Sequence, residues 1–431
     1  MVQGSSDQTI GTTQGQLVLI PAAECSLSAG APLRSPTPRQ LKRIAGLALI
    51  VFGVTACAVL AGWMWHSSRR DAIAALSRQC KKLSVQERWA DLATASAEWS
   101  RLEPGLADPW LFRAEAAKEL KDWNTVVASL DRVPRTDSRC PNALVQKAAA
   151  EFEFLNRPLD GVKTCDELLA IEPRVLIAHK QTVFFHAMTL QRAEMVRRIR
   201  QAIRVRRESP ESYVYLVSAS WLYGGSVYRH NTRWLEGDPD NETYQVARAL
   251  QVYGTQAKTD PEHAAEFEHI PPAEELLKKY PHNLEVVAYF LNRSITDGEL
   301  ERVQELLQLI PKDQAEGDAR FWRARAWCED TAGNVEQAEA SLRRAFQLDP
   351  YWWQIHFQLH DLMRRRGKLE ESAKFLEIYK ASKDLSTTIM SLNQSIDALD
   401  EQKFCHSLLE LSKLVGDDEV SQVLSERLSP D

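Results

Sequence analysis

Hydrophobic and polar positions along the chain fall into three regimes. From Met1 to Arg43, Gly, Ser, Thr, Gln and Pro recur with no helical period, which predicts a disordered polar tail over residues 1–43. The next run, Ile44 to Trp65, contains no charged residue. From 66 to 431 apolar side chains return at three- and four-residue intervals, in segments divided by short breaks, and no run alternates as a strand would. The pattern predicts an all-α protein.

At the helical rise the uncharged run spans about 33 Å, which matches the hydrocarbon core of a bilayer. A lone segment in lipid satisfies its backbone only as a helix, so residues 44–65 are expected to form one N-terminal transmembrane helix. Trp63 and Trp65 stand at its far end, where amphipathic rings favour the headgroup level. Arg34, Arg39, Lys42 and Arg43 before the run outweigh Arg69, Arg70 and Arg78 after it, which Asp71 offsets. That bias predicts a cytoplasmic N-terminus, with residues 66–431 on the opposite side. Val54-Thr55-Ala56-Cys57 has the form of a lipidation site, yet the residues after Cys57 stay apolar through Trp65, so an anchor is expected.

Pro104, Pro173, Pro210, Pro281, Pro311 and Pro350 recur at intervals that, with one copy missed at Ser138 and another gap after Pro210, cluster loosely around the length of a helix pair. Asp349-Pro350, Asp108-Pro109, Asp260-Pro261 and Ser209-Pro210 are expected to start helices, with an acceptor at the cap and proline in the first turn. Gly161, Gly333 and Gly367 are expected to end them. Within residues 319–352, Trp322, Ala326, Ala338, Leu342, Ala345 and Pro350 stand at signature spacings, and this segment resembles a tetratricopeptide repeat. Arg325 and Glu329 depart from the family's pattern. A weaker copy covers 142–175, with Ala149, Phe152, Gly161, Leu168 and Pro173; another starts at Trp110, with Ala114, Ala117 and Leu130. One more follows Pro350, where His356 takes the tryptophan position and Gly367 the turn. Around residues 223–270 the resemblance fades, and an irregular or inserted element is expected there.

The resemblance implies a tetratricopeptide-like α-solenoid of stacked antiparallel helix pairs over 66–431, whose first helices line a concave face that binds a protein or peptide segment. On that face it places Arg320, Arg323, Trp327 and Asp330, then Phe357, Asp361 and Arg364, a mix suited to an extended acidic or aromatic ligand. The Lys and Asn pattern that some members use to clamp a terminal carboxylate is not evident.

Charge and candidate chemistry add little to this picture. A net charge of −6 over 431 residues sets up no field for nucleic acid, and none is expected as a partner. Arg197, Arg200, Arg204 and Arg207, interleaved with Met195, Val196, Ile199 and Ile203, form a basic helix face that suits an acidic protein, anionic lipid or nucleic acid, though a solvated side of an amphipathic helix is the favoured reading. The seven cysteines, Cys25, Cys57, Cys80, Cys140, Cys165, Cys328 and Cys405, form no close pairs and read mostly as packed thiols. His356 and His360 are four apart, with Asp361 beside them, at positions that pack helices; His263 and His269 lack a metal-binding spacing. Asp238, Asp240 and Glu242 open like a calcium loop, but Thr243 and Ala249 stand where its glycine and glutamate belong.

No nucleophile, phosphate-loop or metal motif appears, so neither enzyme activity nor a cofactor is expected. The reading is a membrane-anchored scaffold for protein partners. Two alternatives remain open. One is a structural part of an envelope assembly, self-associating through Tyr351, Trp352 and Trp353; the other is an enzyme with an atypical, pocketed site.

Overall fold

The computed structural model describes residues 38–221, 227–254, 267, 269–392 and 398–429, and side chains before residue 59 only at 49 and 52–57. The expected tail up to residue 37, the Asp260-Pro261 start, and His263 with Glu266 and Glu268 lie outside the described residues. Two compact units make up the chain, 1–71 and 72–431.

One long helix, α1 (Pro38–Val85), contains the whole uncharged run. The predicted span is therefore part of a 48-residue helix rather than a separate element. Its apolar side chains at Leu49, Phe52, Val54, Val59, Leu60, Trp63, Met64 and Trp65 are all at least 59% exposed. Among the described residues no helix is long and apolar enough to cross a membrane. The side chains at 44–48, 50, 51 and 58, much of the predicted run's aliphatic content, lie outside that description.

The second unit is built from antiparallel helix pairs. The end of α1 packs on α2 (Trp89–Leu102), where Leu76, Cys80 and Leu83 meet Leu92, Ala95 and Trp99. Then follow α3 (Ala107–Glu119) with α4 (Trp123–Leu130), α5 (Cys140–Ala149) with α6 (Pro158–Ile171), and α7 (Leu176–Met188) with α8 (Arg192–Arg204). Four helices interrupt the simple alternation: α9 (Pro210–Val217), α10 (Val227–Leu235), α11 (Glu242–Gly254) and α12 (Ala273–Lys279). Pairing resumes with α13 (Leu284–Asp297) and α14 (Leu300–Leu307), and a short α15 (Lys312–Glu316) precedes α16 (Ala319–Thr331) and α17 (Val335–Leu348). The series ends with α18 (Trp353–Arg365) and α19 (Leu369–Ser391), then α20 (Glu401–Val415) and α21 (Asp418–Leu428). No strand occurs among the described residues. This is the arrangement that the resemblance implied.

The repeat is written most clearly in the backbone. Each pair turns through one residue with positive φ, at Glu87, Lys121, Asn156 and Leu190, then at Gly298, Gly333, Gly367 and Gly416. The intervals 87 to 121, 121 to 156, 156 to 190, 298 to 333 and 333 to 367 are each 34 or 35 residues. The next amide then bonds back over the helix end, as from Asp122 to the Ala117 carbonyl (2.8 Å) and from Asn334 to Glu329 (2.8 Å), which satisfies carbonyls otherwise left open. Gly161 is not one of these turns. It lies inside α6, where an added Cβ would stand 2.6 Å from the Phe152 ring, so its role is close packing; Asn156 makes the turn.

A second periodic feature anchors the first helix of several pairs. Trp110 Nε1 donates to the Pro104 carbonyl (2.9 Å) and Trp322 Nε1 to Glu316 (3.0 Å), each six residues back. His179 and His356 do the same through Nε2, to Pro173 (2.8 Å) and Pro350 (3.0 Å). A carbonyl only accepts, so each Nε2 carries the proton.

Of the expected helix starts, Ser209-Pro210 caps α9 as anticipated. Asp108-Pro109 falls inside the first turn of α3, which begins at Ala107. Asp349-Pro350 closes α17 instead: Asp349 is its C-cap, and α18 begins only at Trp353.

A continuous buried core runs from Val183 to Leu424, and Phe152 joins it to a second core spanning Ala107 to Ala178. The last helix pair folds back onto α8. Arg200 donates to Asp417 (2.8 Å) and Glu419 (3.3 Å), Arg204 to Glu419 (2.8 Å), and Arg206 to Glu426 (2.9 Å). Tyr351 Oη also donates to Asp417 (2.7 Å).

Candidate functional site

On the side lined by first helices, a partly open cavity of about 370 Å³ lies between α13, α16 and the start of α18. Ser220 and Trp221, after α9, and Tyr253 and Gly254, ending α11, complete its wall. Aromatic rings form much of the lining: Tyr253 and Tyr289 have centroids 5.7 Å apart, and Trp352 and Trp221 stand among them. Of the expected face residues, Arg320 and Arg323 reach this cavity, and both are buried rather than solvated.

The two arginines sit one helical turn apart and differ in their partners. Arg320 donates to Glu285 from both terminal nitrogens (2.7 and 2.6 Å) and to Asp318 (2.6 Å). Arg192 adds a bond to Glu285 (3.0 Å). Burial alone would raise Glu285 and Asp318, but the charge and hydrogen bonds of Arg320, with the charge of Arg192, bring both carboxyls below their ordinary values. Arg323 has no carboxylate partner among the described residues. It reaches Asn292 Oδ1 (3.3 Å), its guanidinium lies 5.1 Å from the Trp352 ring centroid, and its buried Nε has no acceptor. Burial pushes this guanidinium down to about 10.

Below the cavity Asp349 accepts from Ser220 and from the Tyr351 amide (3.2 Å). Burial outweighs those bonds and raises its carboxyl to about 6.

The other expected face residues cluster apart from Arg320 and Arg323. Asp330 accepts two bonds from Arg365 (3.0 and 2.7 Å), while Asp361 accepts from Arg364 (2.7 Å) and Arg365 (3.0 Å), so these form a surface ion-pair network. Phe357 is 48% exposed beside Tyr379, and Trp327 packs partly against the core. The basic face is divided in the same way. Arg200 and Arg204 hold the C-terminal pair, Arg197 pairs with Glu194 (2.6 Å), and Arg207 donates to the Arg174 carbonyl (3.1 Å). Half of that face is therefore an internal seam.

His356 is fully buried, its Nδ1 facing Ser382 Oγ (2.9 Å), and His360 faces Ser372 (2.9 Å), so both rings are engaged in packing. Among the described residues no group of His, Cys, Asp and Glu is placed to hold a metal ion. Tyr351 and Trp352 are buried too, which removes them from any surface that a second copy could meet.

Sequence reasoning missed the Glu285–Arg320–Arg192 cluster and the cavity itself. The usable signal was the pair Arg320 and Arg323 on the apolar side of α16, where solvated arginines would not stand.

No family model matches the chain, and no curated protein sequence does. Among solved structures, the chain is similar to yeast Tom70 at 15% identity, over 79% of this chain and 76% of that one, with a TM-score of 0.25. The C-terminal part of a TPR repeat-containing protein from Cytophaga hutchinsonii matches at 13% over 65% and 98%, with a TM-score of 0.27. A tetratricopeptide repeat protein from Parabacteroides merdae matches at 11% over 68% and 99%, with a TM-score of 0.25. These superpositions are too loose to add to the helix pairing and turn periodicity described above.

Proposed function

We propose that this chain is a membrane-tethered helical-repeat scaffold that binds a protein or peptide segment along the side lined by its first helices, and that it acts as a binder, not as a catalyst. The observation that carries the tether is the row of uncovered apolar side chains on α1, from Leu49 to Trp65. Soluble domains seldom leave so much contiguous apolar surface in water, and in sequence the stretch 44–65 is free of charge. The basic residues preceding it support a cytoplasmic N-terminus, with the repeat region across the membrane. Partner binding is supported by the stacked pairs and by apolar Phe357, which stands exposed on α18, the helix that also carries Asp361 and Arg364.

Fractionation tests the tether. The full chain should resist alkaline extraction and leave membranes only with detergent, whereas deletion of 44–65 should free it; a full chain that stays dispersed without detergent overturns the anchor. Proximity labelling from the C-terminus tests binding and sidedness together. The labelled neighbours should be lost with Phe357→Glu, and an unchanged set counts against this face.

A further inference from the structure

We propose that the cavity between α13, α16 and α18 is a binding site for a small organic monocarboxylate, a single carboxylate on an aromatic or aliphatic body, anchored by Arg323. This goes beyond the scaffold reading and does not depend on it, because a small acid can bind here whether or not a protein partner exists.

The donors come first. Arg323 is buried, and among the described residues its one polar contact is Asn292 Oδ1 at 3.3 Å, with no acceptor for Nε. The Trp352 ring offers its face to the cation but accepts no N–H bond in the plane of the guanidinium. Trp352 and Trp221 line the same cavity, and their buried indole N–H groups also have no acceptor among the described residues. Three side chains that line one cavity thus carry buried donors without acceptors among the described residues. Buried donors are normally paired, so the missing component is rich in acceptors.

Charge selects the class. One turn earlier on the same helix, Arg320 is fully matched by Glu285 and Asp318. Arg323 is left with a positive charge that no carboxylate among the described residues balances, and burial lowers its proton affinity accordingly. One uncompensated cation fits one negative charge. A dianion such as a phosphate monoester would bring a second charge to a cavity whose other buried arginine is already occupied by two carboxylates. A planar carboxylate also suits a guanidinium edge, where two parallel N–H bonds form. Tyr289, Leu291, Ile295 and Trp221 offer apolar surface to the body of the acid, beside the polar side chains of Ser220, Thr296, Asp297 and Gln354 on the same wall.

Calorimetry and thermal shift on the full chain in detergent test this with 3-phenylpropanoate and hexanoate as probes, against 3-phenylpropan-1-ol and 3-phenylpropyl phosphate. At least one acid should bind with Kd below roughly 1 mM and raise Tm, with the alcohol and the phosphate at least about tenfold weaker. Arg323→Gln should remove the preference for acid over alcohol without lowering the Tm of the unliganded protein, since it deletes an unbalanced buried charge. The proposal is overturned if neither acid binds at about 10 mM, far above ordinary small-ligand affinities. It is equally overturned if the alcohol or the phosphate binds as well as the acids, or if Arg323→Gln binds them as tightly as the wild type. Should that variant fail to fold, the comparison of acid, alcohol and phosphate on the wild type still decides.

Discussion

At the scale of single residues, two buried titrations oppose each other. Asp349 keeps its proton to about pH 6 in the folded chain, well above an unfolded aspartate. Its contribution is fully present below about pH 4 and is lost as pH rises through about 6, by on the order of 3 kcal/mol. His356, lowered to about 4 by burial, acts the other way: folding loses stability as pH falls below the unfolded histidine value toward 4. Asp349→Asn isolates the first, because the histidine is common to both proteins. The variant should gain on the wild type by up to roughly 3 kcal/mol between pH 4 and pH 7 in denaturant titrations; a gap that stays constant with pH removes the carboxyl from the account. The turn residues give a second residue-level expectation. Lys121→Gly should raise stability by about 1 kcal/mol by relieving a left-handed side chain, and Gly333→Ala, with open space around the new methyl, should cost about as much. Calorimetric Tm values of the two variants moving in the same direction would contradict the repeat-turn reading. Here sequence was only half legible. Gly333 and Gly367 announced their turns, but Lys121 and Leu190 are ordinary helix formers and hold a left-handed backbone because the packed pairs around them demand it.

At the scale of elements, the docking of α21 on α8 turns on Asp417. Its carboxylate takes Arg200 and Tyr351 and also caps its own helix through the Val420 amide (3.2 Å). Burial would raise that carboxyl, but its bonds to Arg200 and the guanidinium charge hold it below the ordinary value. Asp417→Asn preserves the cap but leaves Arg200 with Glu419 as its remaining carboxylate partner (3.3 Å), so it should cost up to roughly 3 kcal/mol, part of which Arg200→Met should recover in the double variant. Additive losses in the double-mutant cycle would mean that the two residues act separately. Nothing local foretold this seam. The arginines of α8 had the spacing of a solvated face, and their acids lie 217 and 215 residues away, beyond the reach of any periodicity. The helices themselves were readable because amphipathic spacing is local, and His356 could be placed at the tryptophan position from its repeat spacing; the structure gives it the same bond to the carbonyl six residues back.

At the scale of the whole molecule, helix pairing and repeat length followed from pattern, whereas the partial enclosure of the first-helix side did not. Arg320 and Arg323 were expected in an open groove. They are buried instead, and residues 220 and 221, after α9, with 253 and 254, at the end of α11, line the same cavity as these arginines. An irregular insertion thus changes what the regular repeats present, leaving Phe357 and its ionic neighbours on the accessible portion.

The return of the last pair to α8 also alters how such a chain must be born. Ordinary solenoids consolidate unit by unit as they leave the ribosome, since every contact is with a neighbour. Here the middle of the protein stays unfinished until more than two hundred further residues have been synthesised, so during that interval Arg200 and Arg204 await their carboxylates and the nascent chain depends on whatever shelters it.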